Sequence, residues 1–511
     1  MQAKIKTQPY EYFDPIFDGS FEAPIDTEYN LPDYCPDIQK ILKCQAVPEV
    51  SSYLISEDTL TVDGVCDIRV LYLDSKGDRV YSCDFTKDFT ASVKIKATEE
   101  KAVAYIQSAL DHITCRAVSA RRVDMHIAIS LKALVVVQKQ ELITCDMGDD
   151  SVEKLCSTYS AAQAVNAVCH QFTTEDTLSL KNGKPPIETI LRKNVTCRVS
   201  DYRLSDGKME VTGTADVCFL YQSAVDGTSL EKMNATIEFS QSIDCSGAEE
   251  GCICDLKAVV GDSSIQPRED DVGEYTNVNI VVKIFLVAFL YKPCEIEVID
   301  DAYSVRAPLE LRYSQTSFLQ IDRTHTEVLK KKSALTVSED EIEKVLDIWC
   351  EQDSVQTVCD KGKLNYRVRY TVCMLYQSSG GRVLYTEKPF DYNAATELGD
   401  SQTRKTDTFS RTELWEYRIT DKNTVEISVE TPTSTFLYSR TSVKYLTSAG
   451  VNEDAPAFET EPKLLVYYAS AGERLWDIAK NHRALLSDIQ AQNDLYDEVV
   501  PTDRPIIICN R

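Results

Sequence analysis

The sequence is poor in the features that mark export, membrane passage and catalysis. From Met1 to Phe17 it mixes charges, Pro9 and tyrosines, without the apolar core of a signal peptide. Its longest apolar stretch, Val278 to Tyr291, contains Lys283 and is too short to cross a bilayer as a helix. Such a chain is expected to stay in the compartment that makes it. Basic charge is also in deficit, with 55 Lys and Arg against 81 Asp and Glu, a net charge of −26. That field repels nucleic acid and anionic lipid, so neither is expected as a bulk partner.

Histidine is scarce. His112, His126, His170, His325 and His482 are scattered without ligand spacing, and HExxH, GxSxG and Walker glycine loops are missing. Cys169-His170 are neighbours in sequence, which is not how a nucleophile meets its base. The cluster Glu269-Asp270-Asp271 reads as a solvated loop. Among 18 cysteines there is no Cys-x-x-Cys pair; Cys252-Ile-Cys254 stands alone without a histidine. In a reducing compartment these thiols behave as small buried hydrophobes. No catalytic residue, metal or cofactor is expected, and the chain is read as non-enzymatic.

What is present is repetition. A leucine, then Ile-x-x-[Ile/Val]-Leu, then a Leu-Tyr pair occur three times. The copies are Leu31, Ile38, Ile41, Leu42, Leu71, Tyr72; Leu180, Ile187, Ile190, Leu191, Leu220, Tyr221; and Leu335, Ile342, Val345, Leu346, Leu375, Tyr376. In each, 41 residues separate the first leucine from the tyrosine. The i, i+3, i+4 spacing of Ile38, Ile41 and Leu42 predicts a short helix. Pro36 and Pro186 then fall in a first turn, and Ser338 and Glu341 have capping-box spacing. A tight turn follows at Ser56-Glu57-Asp58, Ser205-Asp206-Gly207 and Asp360-Lys361-Gly362. Beyond it comes a period-two strand, in the first copy Leu60, Val62, Cys66, Ile68, Val70 and Tyr72. The later parts of the copies alternate too, as in Val278, Ile280, Val282, Ile284 and Leu286. Val152, Leu155, Cys156 and Tyr159 suggest a connecting helix. The predicted fold is mainly β with short helices: three antiparallel, sandwich-like modules at 20–150, 172–300 and 320–450. Cys218 and Cys373 share a register that holds Arg69 in the first copy, which argues against a shared disulfide or metal role.

The runs Leu31 to Leu42 and Gly64 to Tyr72 resemble the SPOCS domain of bacterial spore-coat proteins, as does Gly183 to Leu191. The third copy departs from it, with Val368 where the others have Gly64 and Gly213.

After an acidic linker, Asn452 to Pro462, the pattern changes. Gly472-Glu473-Arg474-Leu475-Trp476-Asp477-Ile478-Ala479, then Leu486, Ile489 and Asn493, then Pro505-Ile506-Ile507-Ile508 predict a small α+β unit of βααβ order at 463–510. It resembles the LysM domain, a family known for binding N-acetylglucosamine glycans. The resemblance puts a shallow groove at Ala471, Gly472, Glu473, Arg474, Leu475 and Trp476 on one side, and Asn493, Asp494, Leu495 and Tyr496 on the other. Arg474 replaces the usual capping Ser/Thr, and Asp503 and Cys509 replace a late Gly and closing Pro. SPOCS modules with a terminal LysM domain resemble the SipL-type spore-coat morphogenetic proteins. That resemblance implies an adaptor in the mother-cell cytoplasm at the forespore surface, its LysM domain docked on the polymerising coat ATPase, with other coat proteins as further partners. The alternative is a cell-wall protein that binds peptidoglycan through the same groove.

Overall fold

The computed structural model describes residues 5–77, 79–98, 100–148, 152–180, 183–338, 341–400, 402–451, 458 and 463–510. Among these the chain forms 21 strands and two α-helices. The expected linker Asn452–Pro462 lies outside the described residues except for Phe458.

Each repeat builds two antiparallel sheets. In the first, β2 (Ile38–Ser56), β3 (Thr59–Asp74) and β4 (Val80–Lys94) face a sheet of β1 (Ile5–Asn30), β6 (Arg122–Met147) and β5 (Ala102–Ser119). The second repeats this plan with β8 (Ile187–Ser205), β9 (Lys208–Ser223) and β10 (Leu230–Asp244), set against β7 (Val152–Ser179), β12 (Asn277–Ser304) and β11 (Ile253–Arg268). The third uses β14 (Ile342–Asp360), β15 (Lys363–Ser378) and β16 (Val383–Glu397) against β13 (Leu309–Thr336) and β19 (Thr424–Val451). Its last edge is divided into β17 (Lys405–Ser410) and β18 (Glu413–Asp421). Side chains of the two sheets interdigitate as one core per repeat, for example Leu60, Val62 and Tyr72 with Val123, Ile127 and Leu131. The hairpins close through positive-φ residues: Glu57 at 51°, Asp206 and Gly207 at 43° and 79°, Lys361 and Gly362 at 48° and 73°.

Two helix expectations are overturned. Ile38, Ile41 and Leu42 lie in strand β2, and their equivalents lie in β8 and β14. The strand carries bulges between Ile38 and Lys40 and between Ile41 and Lys43, repeated at Ile187/Thr189, Ile190/Arg192, Ile342/Lys344 and Val345/Asp347. Each bulge adds one residue to the two-residue repeat, so Ile38, Ile41 and Cys44 face the same core three residues apart. Pro36, Pro186 and the Ser338/Glu341 pair therefore precede strands, not helices. The Val152–Tyr159 segment is likewise the start of β7, paired along its length with β12.

The three repeats close into a ring. β4 packs on β8, β10 on β14, and β16 on β2. At its centre equivalent residues meet: Leu42 with Leu191 and Leu346, Leu71 with Leu220 and Leu375, and Val80 with Leu230 and Val383. The repeated Leu-Tyr pair is thus split between two jobs. Tyr72 and Tyr221 point into their own cores, their hydroxyls donating to Pro36 O (3.2 Å) and Pro185 O (3.0 Å), while the leucines pack around the pseudo-three-fold axis. A second axial cluster joins Ile143, Val298 and Tyr445, again equivalent positions, with Tyr10 and Phe318.

Candidate functional site

The C-terminal unit runs β20 (Lys463–Ala469), α1 (Leu475–His482), α2 (Leu486–Asn493) and β21 (Arg504–Asn510), with β20 antiparallel to β21. Both helices are a little over two turns long and too short to persist alone, so packing holds them. Leu475, Ile478, Ala479 and Ile489 bury against Ile506 and Ile508. Gly472 has φ 88°, which favours glycine, and turns the chain from β20 towards α1. Arg474 occupies the N-cap in extended geometry, with no side-chain cap hydrogen bond. At the other end Arg483 adopts αL geometry and lies over the Phe458 ring at 3.6 Å.

The first predicted groove loop pairs by backbone with residues 498–500, just past the second, Asn493 to Tyr496. Leu475 N donates to Glu498 O (2.9 Å), Gly472 N to Val500 O (2.8 Å) and Val500 N to Glu473 O (2.8 Å). The ten predicted groove residues then divide. Ala471, Gly472, Arg474, Asp494 and Tyr496 are exposed, Tyr496 at 76%, and Glu473 is half-buried. Leu475 and Leu495 are core. Asn493 is a structural clamp: its amide donates to Ile489 O (2.8 Å) and Ile507 O (2.7 Å), and its carbonyl accepts from Ile507 N (2.7 Å). This ties α2 to β21 and accounts for an asparagine at that place.

Trp476 is directed elsewhere. It is buried against the end of β12, stacking edge-on to Tyr303 at 4.9 Å and donating from Nε1 to Asp301 Oδ2 at 3.0 Å. Lys480, one turn on, reaches the same carboxylate at 2.6 and 2.8 Å, and Tyr303 donates to Ala484 O at 2.7 Å. Tyr313 adds a hydrogen bond to Asp301 at 3.2 Å. Burial alone would raise the Asp301 carboxyl, but Lys480 and Trp476 outweigh it and hold it below the usual range. The first helix thus fastens the unit to the ring.

Three of the five histidines meet polar side chains, His112 with Thr114, His126 with Asp26 and His325 with Glu327, while His170 and His482 lie against the rings of Phe172 and Tyr467. Asp270 accepts from Val272 N, Glu274 N and the Thr276 hydroxyl, so the acidic cluster there is a loop clasp. Among the described residues no three His, Cys, Asp or Glu side chains converge as metal ligands.

Sequence reasoning missed Asp301 and Tyr303, because nothing local marks them as a docking point.

Residues 37–118 and 186–267 are each similar to the family described as SipL, SPOCS domain. The two segments start at equivalent positions and run through β2–β5 and β8–β11, so each takes in strands of both sheets. This supports a SipL-type, sporulation-related chain. No curated protein and no solved structure matches it. Among the described residues no helix is long and apolar enough to cross a membrane.

Proposed function

We propose that the chain is a non-enzymatic adaptor of spore-coat assembly. It works on the mother-cell side of the forespore, and its C-terminal unit is a LysM domain that docks on the polymerising coat ATPase. The observation that carries this reading is the division of labour in that unit. One helix face, through Trp476 and Lys480, is spent on the ring, while Arg474 and Tyr496 stay exposed on the adjoining loops. Arginine and tyrosine are over-represented among residues that dominate protein interfaces, and both stand here on a loop pair fixed by backbone hydrogen bonds. The similarity of two modules to the SPOCS domain supplies the sporulation context.

A pull-down from sporulating cells with the full chain, and with a chain ending near 461, tests the proposal. Capture of the ATPase by the full chain alone supports it. If chitin oligomers bind tightly to the full chain and the ATPase does not, the groove reads sugar and the adaptor reading fails.

A further inference from the structure

Beside the axis, between the long-stranded sheets of all three repeats, lies a cavity of about 260 Å³. Its wall is built from equivalent positions that have diverged. Leu134 corresponds to Phe289 and Phe436, and Val136 to Tyr291 and Tyr438. Opposite these on the neighbouring strands stand Tyr105, Asp255 and Asp407, which also correspond.

The charges here come from the second and third repeats and meet an aromatic ring of the first. Lys257 is 4% exposed, and its ammonium meets Asp255 at 3.2 Å and Asp407 more closely still, over the Tyr105 ring at 4.8 Å. The first repeat fills the Lys257 position with Gln107 and the third with Phe409, so only the second brings a cation there. Burying an ion pair is seldom favourable against apolar packing. Burial would strip Lys257 of its proton, yet the two aspartates keep it charged. Two carboxyl groups thus meet one ammonium beside aromatic rings: burial pushes the Asp255 carboxyl up, while the Asp407 side chain stays 36% exposed. The lining also includes the exposed Lys132, Arg440 and Asp18, two cations to one anion on the solvent side.

We infer that this cavity binds a small organic ammonium compound. The ammonium group would sit at the inner end against Asp407 and Asp255, with the rings of Phe436 and Tyr438 supplying cation–π attraction. The volume falls just under that of drug-sized pockets, which suits a diamine, a short polyamine or a small amino acid. A free amine and an amino acid share the inner contacts and differ at the mouth, where only the second carries a carboxylate for Lys132 and Arg440.

The test is calorimetry on the full chain at about 0.15 M salt, where surface attraction is screened beyond about 8 Å. The probes are putrescine, spermidine and γ-aminobutyrate, with succinate as the anionic control. Saturable one-to-one binding of at least one ammonium probe is expected, and which one binds separates amine from amino acid. Asp407→Asn should weaken it tenfold or more. Leu134→Phe keeps the net charge and installs the residue the other two repeats hold, so it should fold while narrowing the cavity, with the same loss. Matched thermal melts check folding, and Leu134→Phe decides alone if Asp407→Asn does not fold. The inference is overturned if no ammonium probe binds, if succinate binds as well, or if Leu134→Phe binds like the parent.

Discussion

Arg192 and Asp347 occupy the same position in the second and third repeats, and they meet each other in a buried ion pair, Nε to Oδ2 at 2.7 Å. Their side chains are 3% and 0% exposed, and Lys232 adds a second contact to Asp347 at 3.1 Å. Removing one partner leaves the other charge buried and unpaired. Asp347→Ala should therefore cost about 3–5 kcal/mol, read by denaturant unfolding. Replacing both, Arg192→Met with Asp347→Leu, should recover most of the loss. Equal damage from the double variant would mean that the pair, and not the stranded charge, carries the stability.

The ring-to-helix fastening predicts acid sensitivity. Asp301 is held below the usual carboxylate range, so its contribution is present above the unfolded value of about 3.9 and is lost as pH falls through the lower folded value. Asp301→Asn should loosen the C-terminal unit by about 1–2 kcal/mol at neutral pH, the scale of a hydrogen bond to a charged group reduced by solvent screening. Lower amide-exchange protection factors in α1 below pH 4, and at pH 7 in the variant, are the expected readout.

Glu49 titrates the other way. It lies buried in β2 near Asp67, and burial first, then the Asp67 charge, pushes its carboxyl up to about 8. The raised value means full stability below the unfolded value of about 4.3, lost progressively as pH rises through about 8. Glu49→Gln should match the wild type at pH 4 and melt higher than it at pH 8. The same difference between variant and wild type at both pH values would show that folding does not raise the Glu49 carboxyl.

Gly213 and Val368 hold the same register opposite Phe239 and Tyr392. A Cβ at Gly213 would sit 2.3 Å from Arg198 O and 2.4 Å from the Phe239 ring. Backbone cannot give way cheaply, so Gly213→Ala should cost about 1–3 kcal/mol. Gly64 is as tight, with Glu49 O at 2.5 Å and Phe89 at 2.3 Å, and should respond alike in thermal melts.

In the C-terminal unit, Arg474→Ala should weaken partner binding with the circular dichroism spectrum unchanged, because Arg474 is exposed and caps nothing with its side chain. Leu475→Ala empties a position that is 1% exposed and should cost about 2–5 kcal/mol, enough to unfold so small a unit. Calorimetry with the ATPase separates contact from scaffold.

The repeat and the strand alternation were legible because Val62, Ile68 and Val70 alternate strictly, and that period has few other readings. The bulged strand was not. Ile38 and Ile41 turn inward three residues apart, while Leu42 turns outward into the inter-repeat cluster, and together they imitate a helix. In the candidate site the buried Leu475 and the exposed Arg474 followed from pattern. The partners of Trp476 did not, since Asp301 and Tyr303 are 175 and 173 residues away and meet it only through the fold.

Three covalently joined repeats have a freedom that a trimer of identical subunits lacks. Exact symmetry would set three arginines, or three aspartates, at the place where Lys43, Arg192 and Asp347 now stand, and like charges would face one another across every joint. Linked in one chain, the joints can differ. The second repeat grips the third through Arg192 and Asp347, while the third grips the first through Glu387 and Lys43 at 2.8 Å. Each repeat therefore has one correct neighbour on each side, and the order around the ring is written into the charges as well as into the connecting backbone.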